Sequence, residues 1–117
     1  MHITYKRTSL PNLHPGEVGY KLSDGSYAAV KFEPGTDRAP DMFAWQARVR
    51  AVTVAGEPIM DCEDAPISVR AHMSCPKLSL AHGKVDSEVL KTAALDAAIN
   101  GPDGLIAEVA AQLAYSR

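Results

Sequence analysis

The 117-residue chain lacks the features that mark several large protein classes. It has only two cysteines, which excludes a disulfide framework and predicts two free thiols. No segment approaches the run of about 18 apolar residues that a membrane-spanning helix needs. The N-terminus also lacks the apolar stretch of a signal peptide. We therefore expect a cytoplasmic protein that does not contact a membrane.

A strong excess of charge of either sign is missing as well. The net charge is -2, which gives no general electrostatic attraction toward nucleic acids or acidic lipids. Aromatic residues make up only 6% of the chain, but hydrophobic residues make up 46% and charged residues 22%. This balance is typical of a globular protein and excludes a disordered chain. We predict one domain covering residues 1–117.

Sequence motifs for catalysis and cofactor binding are absent. The chain has neither of the glycine-rich phosphate-binding patterns, GxxxxGK[ST] and GxGxxG, and no Gly-x-Ser-x-Gly turn for a nucleophilic serine. The ligand spacing of a calcium-binding loop is also missing. We therefore predict that the protein is not an enzyme and has no cofactor.

Alternating apolar and polar residues predict β-strands in the first two thirds of the chain. The Asp24-Gly25 pair lies between two alternating runs and indicates a hairpin. A three-residue loop at 23–25 places Tyr20 opposite Ala28 and keeps the apolar side chains on one face. Gly25 then occupies a position that requires a positive φ angle.

The longest predicted strand contains the sequence FAWQARVRAVTV. Phe43 and Trp45 lie on one face, which we expect to be the core face, and Arg48 and Arg50 lie on the other. The apolar residues change face at Val52, so we expect a bulge or bend between Arg50 and Val52.

The last third of the chain has a helical period. Asp86 or Ser87 is a suitable N-cap for a helix over about 87–99, and Gly101 suits a left-handed residue after its end. A second amphipathic helix is predicted over about 104–115. The predicted fold class is α+β, with an antiparallel sheet of four to six strands in residues 1–73 and a C-terminal helical hairpin.

The first of these helices is apolar on two sides. Val89 and Leu90 lie on one side, and Leu95 and Ile99 lie on another. A helix of this kind needs two neighbours, either the sheet and the last helix or, for one side, another subunit. We take Leu95 and Ile99 as the predicted interface with a second copy or another protein.

Two cysteines and two histidines form a weak candidate metal site: Cys62, His72, Cys75 and His82. Structural zinc sites favour close pairs of ligands, and the gaps here are irregular. His72 and Cys75 also point to opposite faces if one strand contains both. We therefore predict no metal, with the cysteines as small buried apolar residues and the histidines at the surface or in loops.

Basic residues on two predicted strands form a candidate anion-binding face. Arg48 and Arg50 share one strand face, and Arg70 shares a face of a later strand with His72. If these strands are neighbours, the four side chains lie together. Ion pairs with nearby carboxylates, such as Glu57 or Glu63, are the alternative explanation. Proteins that bind single-stranded nucleic acids often stack the bases on aromatic side chains, and this face has no such side chains.

These patterns favour a small, non-catalytic protein-binding or assembly module, and we expect a homo-oligomer or a partner-bound protein. The 18 alanines suggest a bacterial or phage accessory protein, either a virion component or an inhibitor of a host system. The alternative function is a nucleic-acid-binding domain that uses the basic sheet face.

Overall fold

Five strands form one antiparallel sheet in the computed structural model, which describes residues 2–35 and 40–115. They are β1 (Tyr5–Thr8), β2 (Val18–Leu22), β3 (Tyr27–Pro34), β4 (Met42–Val52) and β5 (Ser68–Pro76). Each strand pairs with the next in the chain, so β1 and β5 are the two edges of the sheet. The predicted α+β class is confirmed, although the sheet continues to Pro76 instead of ending at residue 73.

Three helices follow the sheet: α1 (Lys77–Ala81), α2 (Ser87–Asn100) and α3 (Leu105–Tyr115). Asp86 caps α2, as predicted, because its carboxylate accepts a hydrogen bond of 2.9 Å from the Glu88 backbone N–H. α2 packs across β4 and β5. Within the described residues, no helix is both long enough and apolar enough to cross a membrane.

The two long helices form a bent unit and not the predicted hairpin. α3 leaves the end of α2 at Gly101 and Gly104 and contacts the ends of β4 and β5. Gly101 has a φ angle of -67°, so the predicted left-handed conformation is wrong. Glycine is needed there because a Cβ atom would lie 2.4 Å from the carbonyl oxygen of Ala97.

The β2–β3 hairpin has the predicted register. Tyr20 is opposite Ala28, and the loop is closed by a 2.9 Å hydrogen bond from the Leu22 N–H to the Ser26 carbonyl. Gly25 has a φ angle of 91°, as the three-residue loop requires. Local turn chemistry therefore fixed the pairing of these two strands.

A long loop, residues 9–17, crosses the face of the sheet opposite α2; we call it the outer loop. Glycine at position 19 leaves room for this loop, because a Cβ atom there would lie 2.7 Å from Leu10 Cγ. Gly56 approaches the other side of the loop, where its Cβ would lie 1.7 Å from the Pro11 carbonyl oxygen. The outer loop thus divides this face into a covered part and an open part.

The bulge predicted between Arg50 and Val52 does not form. The pairing of β4 with β3 is unbroken from Trp45 to Val52, which lies opposite Tyr27. Val52 points to the face that carries the outer loop and is fully buried. The apolar pattern changes at this residue because both faces of the sheet are covered there.

Candidate interaction surfaces

The predicted interface residues Leu95 and Ile99 belong to the core of the single chain. Leu95 is 4% exposed and Ile99 is fully buried, and both pack in the same cluster as Val30 and Val49 of the sheet. The expectation that they face a partner is therefore wrong. Residues of the sheet and of α3 belong to this cluster, so this side of α2 is covered within one chain.

The two flanks of α2 have different surroundings. Thr92 and Leu95 line a shallow cleft with Tyr20 of β2 and Phe32 of β3, so this flank faces the β1 side of the sheet. At 100° per residue, Ala93 and Ala97 lie on the opposite flank, toward β5, and both are half-buried. No charged side chain of α2 lies between these two alanines on that flank.

The basic residues predicted to share a face are on neighbouring strands. Arg48 of β4 is directly opposite Arg70 of β5, and on its other side it is opposite Lys31 of β3. Gln46 is opposite His72 in the next row. The open part of the outer face therefore carries a row of three cations across three strands.

Arg50 lies on the same face but is not available to a ligand. It is 8% exposed, and its guanidinium donates two hydrogen bonds of 2.8 Å to the two carboxylate oxygens of Glu17 in the outer loop. These bonds lower the pKa of Glu17 and raise the pKa of Arg50. Arg50 is therefore an anchor for the outer loop and not part of an exposed basic surface.

Arg48 has a much weaker attachment to a carboxylate. Its Nη2 lies 3.5 Å from Glu33 Oε1, and both side chains are partly exposed. Glu33 also accepts a 3.0 Å hydrogen bond from Gln46. Arg50 and Arg48 thus pair with Glu17 and Glu33. The carboxylates expected from the sequence were Glu57 or Glu63, and that expectation is wrong.

The four candidate metal ligands do not converge. In the part of the chain that the structure describes, no three metal-binding side chains are grouped closely enough to hold an ion. β5 includes both His72 and Cys75, which point to opposite faces, as the parity argument required. Cys75 is buried, as predicted, but Cys62 is exposed, so the prediction of a buried cysteine is wrong at position 62. Both are free thiols.

The free edge of β5 is the most distinctive surface of the fold. β5 has nine residues, whereas the opposite edge strand β1 has four. The backbone bonds from Ala51 N–H to the Ile67 carbonyl and from Lys77 N–H to the Asp41 carbonyl fix the alternation of the β4–β5 pairing. By that alternation, the odd-numbered residues of β5 bond to β4. The N–H and C=O groups of Arg70, His72 and Ser74 therefore point away from the sheet, and none bonds to a described residue.

Comparison of the chain with protein-family models, with curated proteins and with solved structures finds no match.

A second apolar surface lies where α3 meets the end of the sheet. Ile106, Val109 and Leu113 of α3 line a groove of about 250 Å³ with Ile59 and Tyr27. Leu113 is 63% exposed. This groove agrees with the predicted amphipathic character of α3, but nothing in the structure indicates which molecule covers it.

Sequence reasoning did not identify the β5 edge or the role of Glu17. The alternation in PISVRAHM predicted a strand, but it contains no information about which strand lies at the edge of the sheet. Glu17 precedes an apolar run and has the pattern of an ordinary exposed residue. Its contact with Arg50 spans 33 positions, so no local spacing predicts it.

Proposed function

We propose that the protein is a protein-binding module that adds a strand from its partner to the free edge of β5. The observation that carries this proposal is the row of outward backbone N–H and C=O groups at Arg70, His72 and Ser74. An exposed edge of this length is a template for strand addition, in which main-chain hydrogen bonds supply affinity. We also propose that the module is a non-catalytic bacterial or phage accessory protein.

The side chains of β5 also favour this edge as the binding surface. On the α2 face of the sheet, Val69, Ala71 and Met73 remain half-buried, whereas Ala47 and Val49 of the adjacent strand β4 are fully buried. An added strand extends the sheet beyond β5 and buries the remaining apolar area. Burial of apolar area and completion of backbone hydrogen bonds then act together.

Natural proteins protect most edge strands, and β5 has little protection. Proline, charged side chains, bulges and very short strands are the usual devices, and Arg70 is the charged residue of this kind in β5. The only proline in β5 is its last residue, Pro76, and the register with β4 is regular from Ser68 onward. β1 shows the contrasting case, because its short length leaves few groups for an added strand.

Photocrosslinking in the native host tests this proposal. A benzophenone amino acid at Ser74, exposed on the β5 edge, is expected to yield covalent adducts that mass spectrometry identifies as one specific protein. Lys21 is the matched control, because it is exposed on the outer face but lies on the interior strand β2. His72→Pro removes an outward N–H without removing a bond to β4, and we expect it to abolish the Ser74 adducts. Equal labelling from both positions would contradict the proposal.

The second candidate function is nucleic-acid binding, which the cation row of Lys31, Arg48 and Arg70 favours. Binding of this kind depends on salt, because cations on the protein displace counterions from the phosphates. We expect an oligonucleotide titration to show tighter binding at low salt, and Arg48→Ala to reduce that dependence. Binding that is absent at low salt would remove this candidate.

A further inference from the structure

We infer that the strand bound by the β5 edge is β5 of a second copy of this chain, in an antiparallel pair centred on His72. The inference rests on the proposed function and names the partner for the same edge. A two-fold axis through this pair joins two five-stranded sheets into one sheet of ten strands.

The length and parity of β5 fit this register. The strand runs from Ser68 to Pro76, so His72 is its central residue, and pairing about His72 overlaps the whole strand. Arg70 then lies opposite Ser74 of the second copy. Arg70, His72 and Ser74 have outward backbone groups, so they form the hydrogen-bonded positions of the new ladder. Only the ladder position of Pro76 lacks a donor.

The side chains are compatible in the same register. On the α2 face, Val69 lies opposite Cys75 of the second copy, and Ala71 lies opposite Met73, so apolar residues meet apolar residues. On the outer face, each Arg70 lies opposite a serine. A shift of the centre to Arg70 would place the two guanidinium groups directly opposite each other, which is destabilising. Charge and apolar pattern therefore favour the pair centred on His72.

The position of α2 also suits a second copy. α2 lies across β4 and β5, and strands are about 4.8 Å apart, so the two symmetry-related helices come within about 10 Å of each other. Helices pack at this distance when the facing side chains are small. The flank that faces the axis has Ala93 and Ala97, both half-buried in the single chain. The helices therefore add a second layer to the interface.

The first experiment measures the mass of the purified full chain by sedimentation equilibrium at micromolar concentrations. We expect a dimer, and we expect His72→Pro to weaken it by at least about tenfold, because both copies lose a central N–H. The matched control is His72→Ala, which keeps the backbone donor and should remain dimeric. Circular dichroism and thermal unfolding of each variant establish that the monomer is folded.

The second experiment tests the register by disulfide formation in a background that lacks Cys62 and Cys75. Cysteines at position 72 lie about 5.5 Å apart between Cα atoms in the proposed pair, within bonding range. Two cysteines at position 70 lie about 14 Å apart, which is too far. We expect His72→Cys to crosslink with itself, Arg70→Cys to form no disulfide on its own, and a mixture of Arg70→Cys with Ser74→Cys to crosslink.

The outcomes separate this inference from the proposed function. A monomer that forms no position-72 crosslink overturns the inference, as does a dimer that His72→Pro leaves intact. If the Ser74 photoadduct in the host is then a different protein, the edge still functions in protein binding and the proposed function stands. If Ser74 gives no specific adduct and the protein is monomeric, both fail.

Discussion

Replacement of Arg50 by alanine is expected to lower the free energy of unfolding by about 3–5 kcal/mol. The substitution leaves the Glu17 carboxylate, which is 6% exposed, beside the sheet without its two charge-assisted hydrogen bonds. It also releases the anchor of the outer loop. Urea denaturation followed by circular dichroism measures the change.

Arg48→Ala is the matched control on the same strand face. Arg48 is partly exposed and lies 3.5 Å from its carboxylate, so we expect a loss below about 1 kcal/mol. The double variant Glu17→Leu with Arg50→Met removes both charges and should regain much of the stability lost in Arg50→Ala. If Arg50→Ala and Arg48→Ala have equal effects, the ion pair does not anchor the loop.

The same ion pair makes stability depend on pH in the acid range. Because Arg50 lowers the pKa of Glu17 in the folded state, the unfolded chain binds a proton there more readily. The stabilisation is complete above the unfolded value of about 4.3 and is lost as the pH falls through the lowered folded value. Glu17→Gln should reduce this part of the acid dependence in denaturation curves recorded at a series of pH values.

Ile99→Ala is expected to lower the free energy of unfolding by about 2–5 kcal/mol, because it opens a cavity in the core cluster. Ile99 is fully buried between α2 and the sheet in a single chain. The neighbouring Asn100 strengthens this packing, since its amide donates to the Ile3 carbonyl and its oxygen accepts from the Ile3 N–H. Thermal or urea unfolding gives the value.

Val89→Ala is the control on the same helix, because Val89 is 61% exposed. We expect it to change stability by less than about 0.5 kcal/mol. The loss in Ile99→Ala should also be independent of protein concentration, since the cavity lies within one chain. A loss that depends on concentration would instead assign Ile99 to a subunit interface, which was the expectation from the sequence.

The two faces of the sheet are covered in part by other segments of the chain, whereas no described segment pairs with the free edge of β5. The loop closes the outer face over β2, β3 and part of β4, and α2 covers the other face. The β5 edge has outward polar backbone groups and, beside them, half-buried apolar side chains. We therefore propose the edge, and not either face, as the site of partner binding.

Local patterns in the sequence determined the parts of the fold that depend on near neighbours. The Asp24-Gly25 turn set the loop length and therefore the pairing of Tyr20 with Ala28. Asp86 set the start of α2 through its own side-chain hydrogen bond. Strand alternation also predicted that His72 and Cys75 point to opposite faces. Each of these features involves residues within a few positions, so chain geometry alone decides them.

Only the tertiary structure decided the environments that depend on distant segments. The apolar pattern of α2 identified two apolar sides, but only the packing of the helix against the sheet and α3 determined that Leu95 and Ile99 are buried within one chain. The same holds for Arg50, whose partner Glu17 comes from a loop 33 positions earlier. Strand order, which left β5 at the edge, is likewise a property of the assembled sheet. The period of apolar residues predicts which face of an element a residue lies on. It does not predict which other segment of the chain packs against that face.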